Sequence, residues 1–458
     1  MAAREGLVRV RSETDREILR LAVPAFLALV AEPLFLLGDA AVVGHLGTAE
    51  LAGVGVAAVV LQTAVGLCIF LAYGTTAGVA RRLGAGDQRG ALALGVDGTW
   101  LAVLIGAVVT VAGIALTPWL VGLFDVTGPV EEHAVDYLAV SFAGTAPLLV
   151  VLAVTGVLRG LQDTRTPLVV AVVGNLGNLA LNVVLVHGVG WGVTGAAIGS
   201  VLAQSAMAAA LVGVLVRGAR AHDARLRPSP AGVARAARTG VPLVVRTLTL
   251  RAAIVLTAYV VASGAGADAA GATRIATHQL AMTLWTFLAF VLDAVAIAAQ
   301  ALTGRALGAG DAGTTRRLTA RMTRWGLWSG VLTGAGLAAA SPLLGPVFTS
   351  DPDVHDLLVP VLLTAALFQP VAGVVFVLDG VLIGAGDGVY LAWAGLLVLL
   401  AYAPVLLLLG SGTGLVAVWA VFGAVFIGTR CLVLVLRARG DRWLVLGDAP
   451  AAGAHERP

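Results

Sequence analysis

Several polar and ionisable side chains lie inside long apolar runs of this sequence, where they are costly. A charge at the centre of a lipid bilayer costs from about 3 to above 10 kcal/mol, so each embedded one is a candidate for function. Asp39 sits in the stretch EPLFLLGDAAVVGHLG, and Glu32 precedes it by two helical turns, which puts both carboxylates on one helix face. Two acids facing a cavity can bind a cation, or one can hold a proton at neutral pH. The plainer alternative is a neutral, hydrogen-bonded Glu32 with Asp39 at an interface. Asn175, Asn178 and Asn182 follow at helical spacing and form a polar stripe. Their amide oxygens can coordinate a cation or orient a carboxylate, or they can serve as interhelical hydrogen bonds worth about 1 kcal/mol each.

The second half carries Arg246, Arg251, Asp293 and Asp379 in apolar surroundings. Two bases and two acids in one half can neutralise one another, either as a structural lock or as a proton-labile pair. Asp379 is the expected titrating group and Asp293 the expected structural partner, while the pairing itself stays open. Asp97, Asp136 and Tyr137 lie nearer the ends of their runs and are expected at interfaces.

The elements that must position these groups follow from composition. Apolar residues make up 59% and charged residues only 12% of the 458, where a soluble domain carries roughly 25% charged. A membrane helix needs about 20 mainly apolar residues. Twelve such runs can be marked, at 17–42, 50–80, 91–117, 133–157, 167–187, 193–217, 237–263, 275–303, 320–342, 355–382, 389–410 and 414–436. Pro24, Pro147, Pro242 and Pro370 fall inside them and predict bends. The fold class expected is an all-α integral membrane protein.

All the basic residues are arginines, and they cluster in alternate loops, before the first run and after the second, fourth, sixth, eighth and twelfth, the loop after the tenth carrying none. Cytoplasmic loops retain positive charge, so both ends are expected inside a bacterial inner membrane, with Arg274 a mild exception. The first run is too long for a signal-peptide core and is read as a retained span.

The chain repeats itself. ARRLGAGD (80–87) and GRALGAGD (304–311) stand 224 residues apart, and the same offset relates GLQD (160–163) to GAGD (384–387). This argues for duplication, with two six-helix lobes related by a pseudo-twofold axis along the membrane normal. The lobes expected are 1–220 and 232–440, joined by a cytoplasmic linker at 221–231 and followed by a tail at 441–458.

The chemistry the sequence lacks narrows the function. It contains no HExxH, GxSxG or Walker A motif, so an enzyme or an ATP-driven pump is not expected. The GAGD turns lack the lysine of a phosphate loop, and no basic stripe with interleaved aromatics points to nucleic acid. Cys68 and Cys431 are too far apart in apolar runs to suggest a disulfide or metal framework. No cofactor is expected beyond a coupling ion, and the partners expected are a small-molecule substrate and the lipid bilayer, for a monomer.

Over nearly its full length the sequence resembles the multidrug and toxic compound extrusion (MATE) family, and within it the DinF-like branch. The resemblance is carried by GDAAVVGHLG with Asp39, by Pro24, by NLALNVVLVHG from Asn178, by RTLTL from Arg246 and by LDAVAIAAQ from Leu292. It implies a two-lobe antiporter that exports amphipathic or cationic compounds in exchange for protons or sodium. It further implies a cation site at Asp39, Asn178 and Asn182, where Na+ could bind, and places Asp379 near the second-lobe site of NorM-type members. Two departures stand out. The family's fifth-helix aspartate is Asn182 here, and Leu250 and Arg251 stand near the position of a seventh-helix glutamate. Both favour proton coupling through Asp39. A lipid-linked precursor flippase of the same superfamily, whose cavity would use Arg246 and Arg251 for pyrophosphate, is the alternative, and a non-transporting membrane scaffold a more distant one.

Overall fold

The computed structural model describes residues 2–265, 269–409 and 412–447. Among these the chain is helical throughout, with no strand. The helices are α1 (Ala2–Gly44), α2 (Thr48–Leu67), α3 (Phe70–Gly84), α4 (Gln88–Gly122), α5 (Pro129–Ala143), α6 (Thr145–Gly160), α7 (Arg165–Val183) and α8 (Gly192–Ala221) in the first half. The second half contributes α9 (Pro230–Ser263), α10 (Ala269–Gly308), α11 (Ala312–Phe348), α12 (Pro352–Gly384), α13 (Gly388–Leu409), α14 (Leu415–Val421) and α15 (Gly428–Arg439). Single π-helical turns, Val184–Gly188 and Phe422–Ile427, extend α7 and link α14 to α15.

Among the described residues eleven helices are long and apolar enough to cross a membrane, counting α2 with α3 and α14 with α15 as one each, and α5 with α6 makes a twelfth, bent by 48° at Gly144. The expected bend near Pro147 is thus found three residues earlier, because the proline occupies the first turn of α6, where it lacks no bonded N–H. Pro24, Pro242 and Pro370 lie within unbroken α1, α9 and α12. The large outward side chains are apolar: Leu332 is 75% exposed and Leu408 86%, which suits a surface facing lipid.

The chain divides into two compact units, Val23–Gly240 and Met1–Ala22 with Val241–Pro458. The lobe boundary expected at 220 therefore moves to Gly240, and the first 22 residues leave the first lobe for the second unit. An ion pair reaches from each of the two reassigned segments. Asp15 on α1 accepts hydrogen bonds from Arg321 and Trp325 of α11, while Arg225, in the segment before α9, donates to Asp97 of α4.

Each unit has its own core. In the first, Leu71, Val79, Leu92, Val96, Leu149, Val157 and Leu211 gather α3, α4, α6 and α8. In the second, α12 packs against α10 and α11 through small residues: a side chain at Gly326 or Gly330 would strike the backbone of α12, and one at Gly380 or Gly384 that of α10. Close backbone approach of this kind replaces the hydrophobic drive that helices lack in lipid.

The four repeated turns share one construction. Gly86, Gly310 and Gly386 adopt φ of 78°, 75° and 76°, and Gln162 adopts 64°. At each, the following aspartate N–H reaches back to the carbonyl five residues earlier, at Arg82, Leu158, Ala306 and Leu382, over 2.8–3.3 Å. This is the Schellman ending of a helix. Asp87, Asp163 and Asp311 then cap the next helix by accepting from Gly90, Thr166 and Thr314 N–H at 2.7, 3.0 and 2.8 Å. Asp387 instead accepts from Arg437. The Thr314 hydroxyl and N–H, with Arg317 nearby, hold the Asp311 carboxyl below the usual carboxylate range.

Candidate functional site

The first cluster lies wholly within the Val23–Gly240 unit. Asp39, half-buried on α1, accepts from Asn182 Nδ2 at 2.8 Å on one carboxylate oxygen and from Asn178 Nδ2 at 3.4 Å on the other. The spacing of four puts both amides on one face of α7. Behind them, Ser200 of α8 donates to Asn178 Oδ1 at 3.4 Å. Tyr137 of α5 stands within electrostatic reach of Asp39, beside Ser200.

One polar atom in this cluster is unsatisfied. Asn182 is fully buried, and its Oδ1 has no hydrogen-bond partner. A methyl group at Gly199 of α8 would fall on that oxygen, so the glycine leaves room in front of it. An orphaned buried acceptor costs about 1–3 kcal/mol. The amide that turns its N–H to Asp39 thus turns this oxygen to Gly199.

Asn175, one turn before Asn178, is half-buried and takes no part in these bonds. Glu32 lies on α1, but its side chain falls outside the described residues.

The second cluster lies in the other unit. Asp379 of α12 is buried, and its carboxylate joins two guanidiniums. Arg246 of α9 engages both oxygens, with Nε to Oδ1 at 3.2 Å and a second bond from its NH2 to Oδ2. Arg430 of α15 donates to Oδ1 at 2.9 Å. The three charged residues line a small cavity whose walls include Leu250, Leu391 and Leu434. The pairing left open by sequence is thus Arg246 with Asp379. Arg251 is exposed, and half-buried Asp293 of α10 is not among the groups bonded to Asp379.

Sequence reasoning missed Arg430, although a lone arginine inside the apolar run FIGTRCLVL was signal enough. It also placed Tyr137 at an interface, one helical end too far from Asp39. Asp136, its neighbour, is exposed as expected, whereas Asp97 is buried and ion-paired. Arg274, the exception to the loop pattern, donates to the Thr413 carbonyl at 2.6 Å. No sequence pattern announced the aromatic cavity at the second π-helical turn, lined by Trp285, Phe368, Trp419 and Phe422.

The MatE family model matches residues 24–184 and 252–420. The chain is 31% identical to Protein DETOXIFICATION 44, chloroplastic, of Arabidopsis thaliana, over 95% of this chain and 84% of that protein. It is 29% identical to DNA damage-inducible protein F of Escherichia coli, over 82% and 81%. Its fold matches that of a MOP superfamily transporter from Pyrococcus furiosus with a TM-score of 0.82, at 21% identity, covering 93% of this chain and 95% of the other.

Proposed function

The chain belongs to the MatE family, and on that premise we propose that it is a secondary antiporter. It exports small amphipathic or cationic organic compounds in exchange for a monovalent cation taken up at Asp39. The observation that carries the reading is an embedded Asp39 carboxylate held by the Asn182 and Asn178 amide N–H groups, on a residue pair whose Asn182 oxygen is buried without a partner. One carboxylate with neutral amide and phenol donors balances a single positive charge.

The coupling ion is best read as a proton, with sodium the competitor. Sodium at Asp39, Asn178 and Asn182 would require the two amides to turn their oxygens toward it in place of the N–H groups that face Asp39, and would have one fewer carboxylate than the two-acid pattern of related proteins. A proton needs only Asp39, with Asn182 and Asn178 orienting the carboxyl. Exchange follows if Asp39 cannot hold the ion and favour the substrate-loaded conformation at once, so that binding of one shifts the population away from the other. The protein works as a multi-pass membrane protein, and its arginine-rich loops support placing both ends in the cytoplasm.

The flippase alternative drew its support from Arg246 and Arg251. Arg246 is engaged by Asp379 and Arg251 is exposed, which weakens the case for these two as a pyrophosphate pair.

The deciding experiment is efflux of a fluorescent organic cation from proteoliposomes under an imposed proton or sodium gradient. Wild type should respond to the proton gradient, and Asp39→Asn should abolish that response. A response to sodium alone, lost in Asp379→Asn and kept in Asp39→Asn, would move the coupling site to the other cluster.

A further inference from the structure

The polypeptide passes from one unit to the other twice inside a helix, between Ala22 and Val23 of α1 and between Gly240 and Val241 of α9. Both passages fall on the same dipeptide, Val-Pro, at Val23–Pro24 and Val241–Pro242. Each helix thus begins in one unit and continues in the other, with a proline at the changeover that removes a helical hydrogen bond.

Each lead-in is fastened where it begins. On α1, Asp15 accepts from Arg321 Nε at 2.7 Å and from Trp325 Nε1 at 2.9 Å, and Glu17 accepts from Arg305 at 3.1 Å. Ile18 and Leu21 are buried beside them. Before α9, Asp97 is 3% exposed. It accepts from Arg225 at 2.6 Å and from the Ser229 N–H at 2.9 Å. The Ser229 hydroxyl accepts from Gly232 N–H at 3.3 Å, and a side chain at Gly232 would land on the Asp97 carboxylate. Val233 and Ala236 pack on the core of that unit.

The two fastenings are related. The 224-residue offset that superposes the repeated turns carries Asp97 onto Arg321. The anchor is an acid in one half and a base in the other, and each incoming segment carries the opposite charge, Arg225 or Asp15. Exchanging the lead-ins would set Asp15 against Asp97 and Arg225 against Arg321. Like charges would repel at either anchor, most strongly at buried Asp97, so the polarity of the two pairs disfavours the exchange.

We propose that Asp97 and Arg321 are positioning residues for transport: paired charged clasps by which each unit holds the root of the other's first helix. With the roots fixed, a change of conformation is taken up at Val23–Pro24 and Val241–Pro242 together, and the two crossing helices move as a pair. The functional part of this inference rests on the transport reading above, whereas the clasps themselves can be tested without it.

Hydrogen exchange on the full chain in nanodiscs reads the clasps directly. Asp97→Asn should raise exchange at least tenfold across 224–240 and leave 13–22 unchanged, and Arg321→Gln should do the reverse. Both variants should bind the fluorescent cation within threefold of the wild-type Kd and yet export it at least tenfold more slowly. The double variant Asp15→Arg with Arg321→Asp, at a partly exposed pair that tolerates reversal, should recover at least half of the wild-type rate. Unchanged exchange in both single variants would overturn the clasps. Loosened lead-ins with wild-type export, or a reversed pair that restores protection without restoring export, would overturn their role in transport. A wild-type chain that exports nothing would sink the transport reading while the exchange data still decided the clasps.

Discussion

Gln162 and Gly386 occupy the same left-handed turn position, 224 residues apart, with φ of 64° and 76°. The turn geometry is common to both halves, but only one has a glycine to fill it. A side chain in this region costs roughly 1–2 kcal/mol. Gln162→Gly should therefore raise stability by about 1 kcal/mol, and Gly386→Ala should lower it by a similar amount. Thermal unfolding of the purified protein in detergent checks both. Effects of the same sign for the two substitutions would refute the shared strain.

Gly199 faces the unsatisfied oxygen of Asn182, and a methyl group there would occupy the space in front of it. Gly199→Ala should thus impair coupling at least tenfold while the protein still binds substrate. Gly177 on α7 has nothing within 4 Å of an added methyl, so Gly177→Ala should transport normally. Gradient-driven efflux compared with equilibrium binding separates the two results.

The span count and the turns were legible because both rest on local signals, apolar length and a repeated tetrapeptide. Asp39 was also legible, since its cost in lipid and its i, i+4 amide partners sit on predictable faces. The two changes of unit within α1 and α9 were not, because a continuous helix gives no sign of which body its first turns pack on. Tyr137 was missed for a related reason: distance along α5 says nothing of the approach of α1 across it. Arg430 was readable and overlooked, and with it the second half of the Asp379 cluster.

Asp311, between α10 and α11, accepts from the Thr314 hydroxyl and N–H, which depress its folded-state affinity for a proton. A carboxyl with a lowered folded value contributes stability above its unfolded value, near 4, and loses it as pH falls through the lower folded one. Asp311→Asn retains a capping oxygen and does not titrate. The stability gap between wild type and Asp311→Asn should accordingly narrow as pH drops below about 4. Unfolding followed at neutral pH and in acid measures it, and a gap that widens in acid would contradict the cap.

The Asp379 cluster should behave as an ion lock whose parts are unequal to Arg251. Arg246 and Arg430 side chains are 11% and 14% exposed and Asp379 7%, so removing one member strands buried charge. Loss of one partner from a buried pair costs roughly 3–5 kcal/mol, and Asp379→Asn, which leaves two guanidiniums facing an amide, should approach that figure. Arg430→Gln should cost less, because Arg246 still engages both carboxylate oxygens. Arg251→Gln, at an exposed position, should stay within about 0.5 kcal/mol of wild type. Combining Asp379→Asn with Arg430→Gln should destabilise by less than the sum of the two, since both changes break the same Arg430–Asp379 bond. Denaturant or thermal unfolding of the four variants tests the order, and strict additivity would mean that Arg430 and Asp379 do not interact.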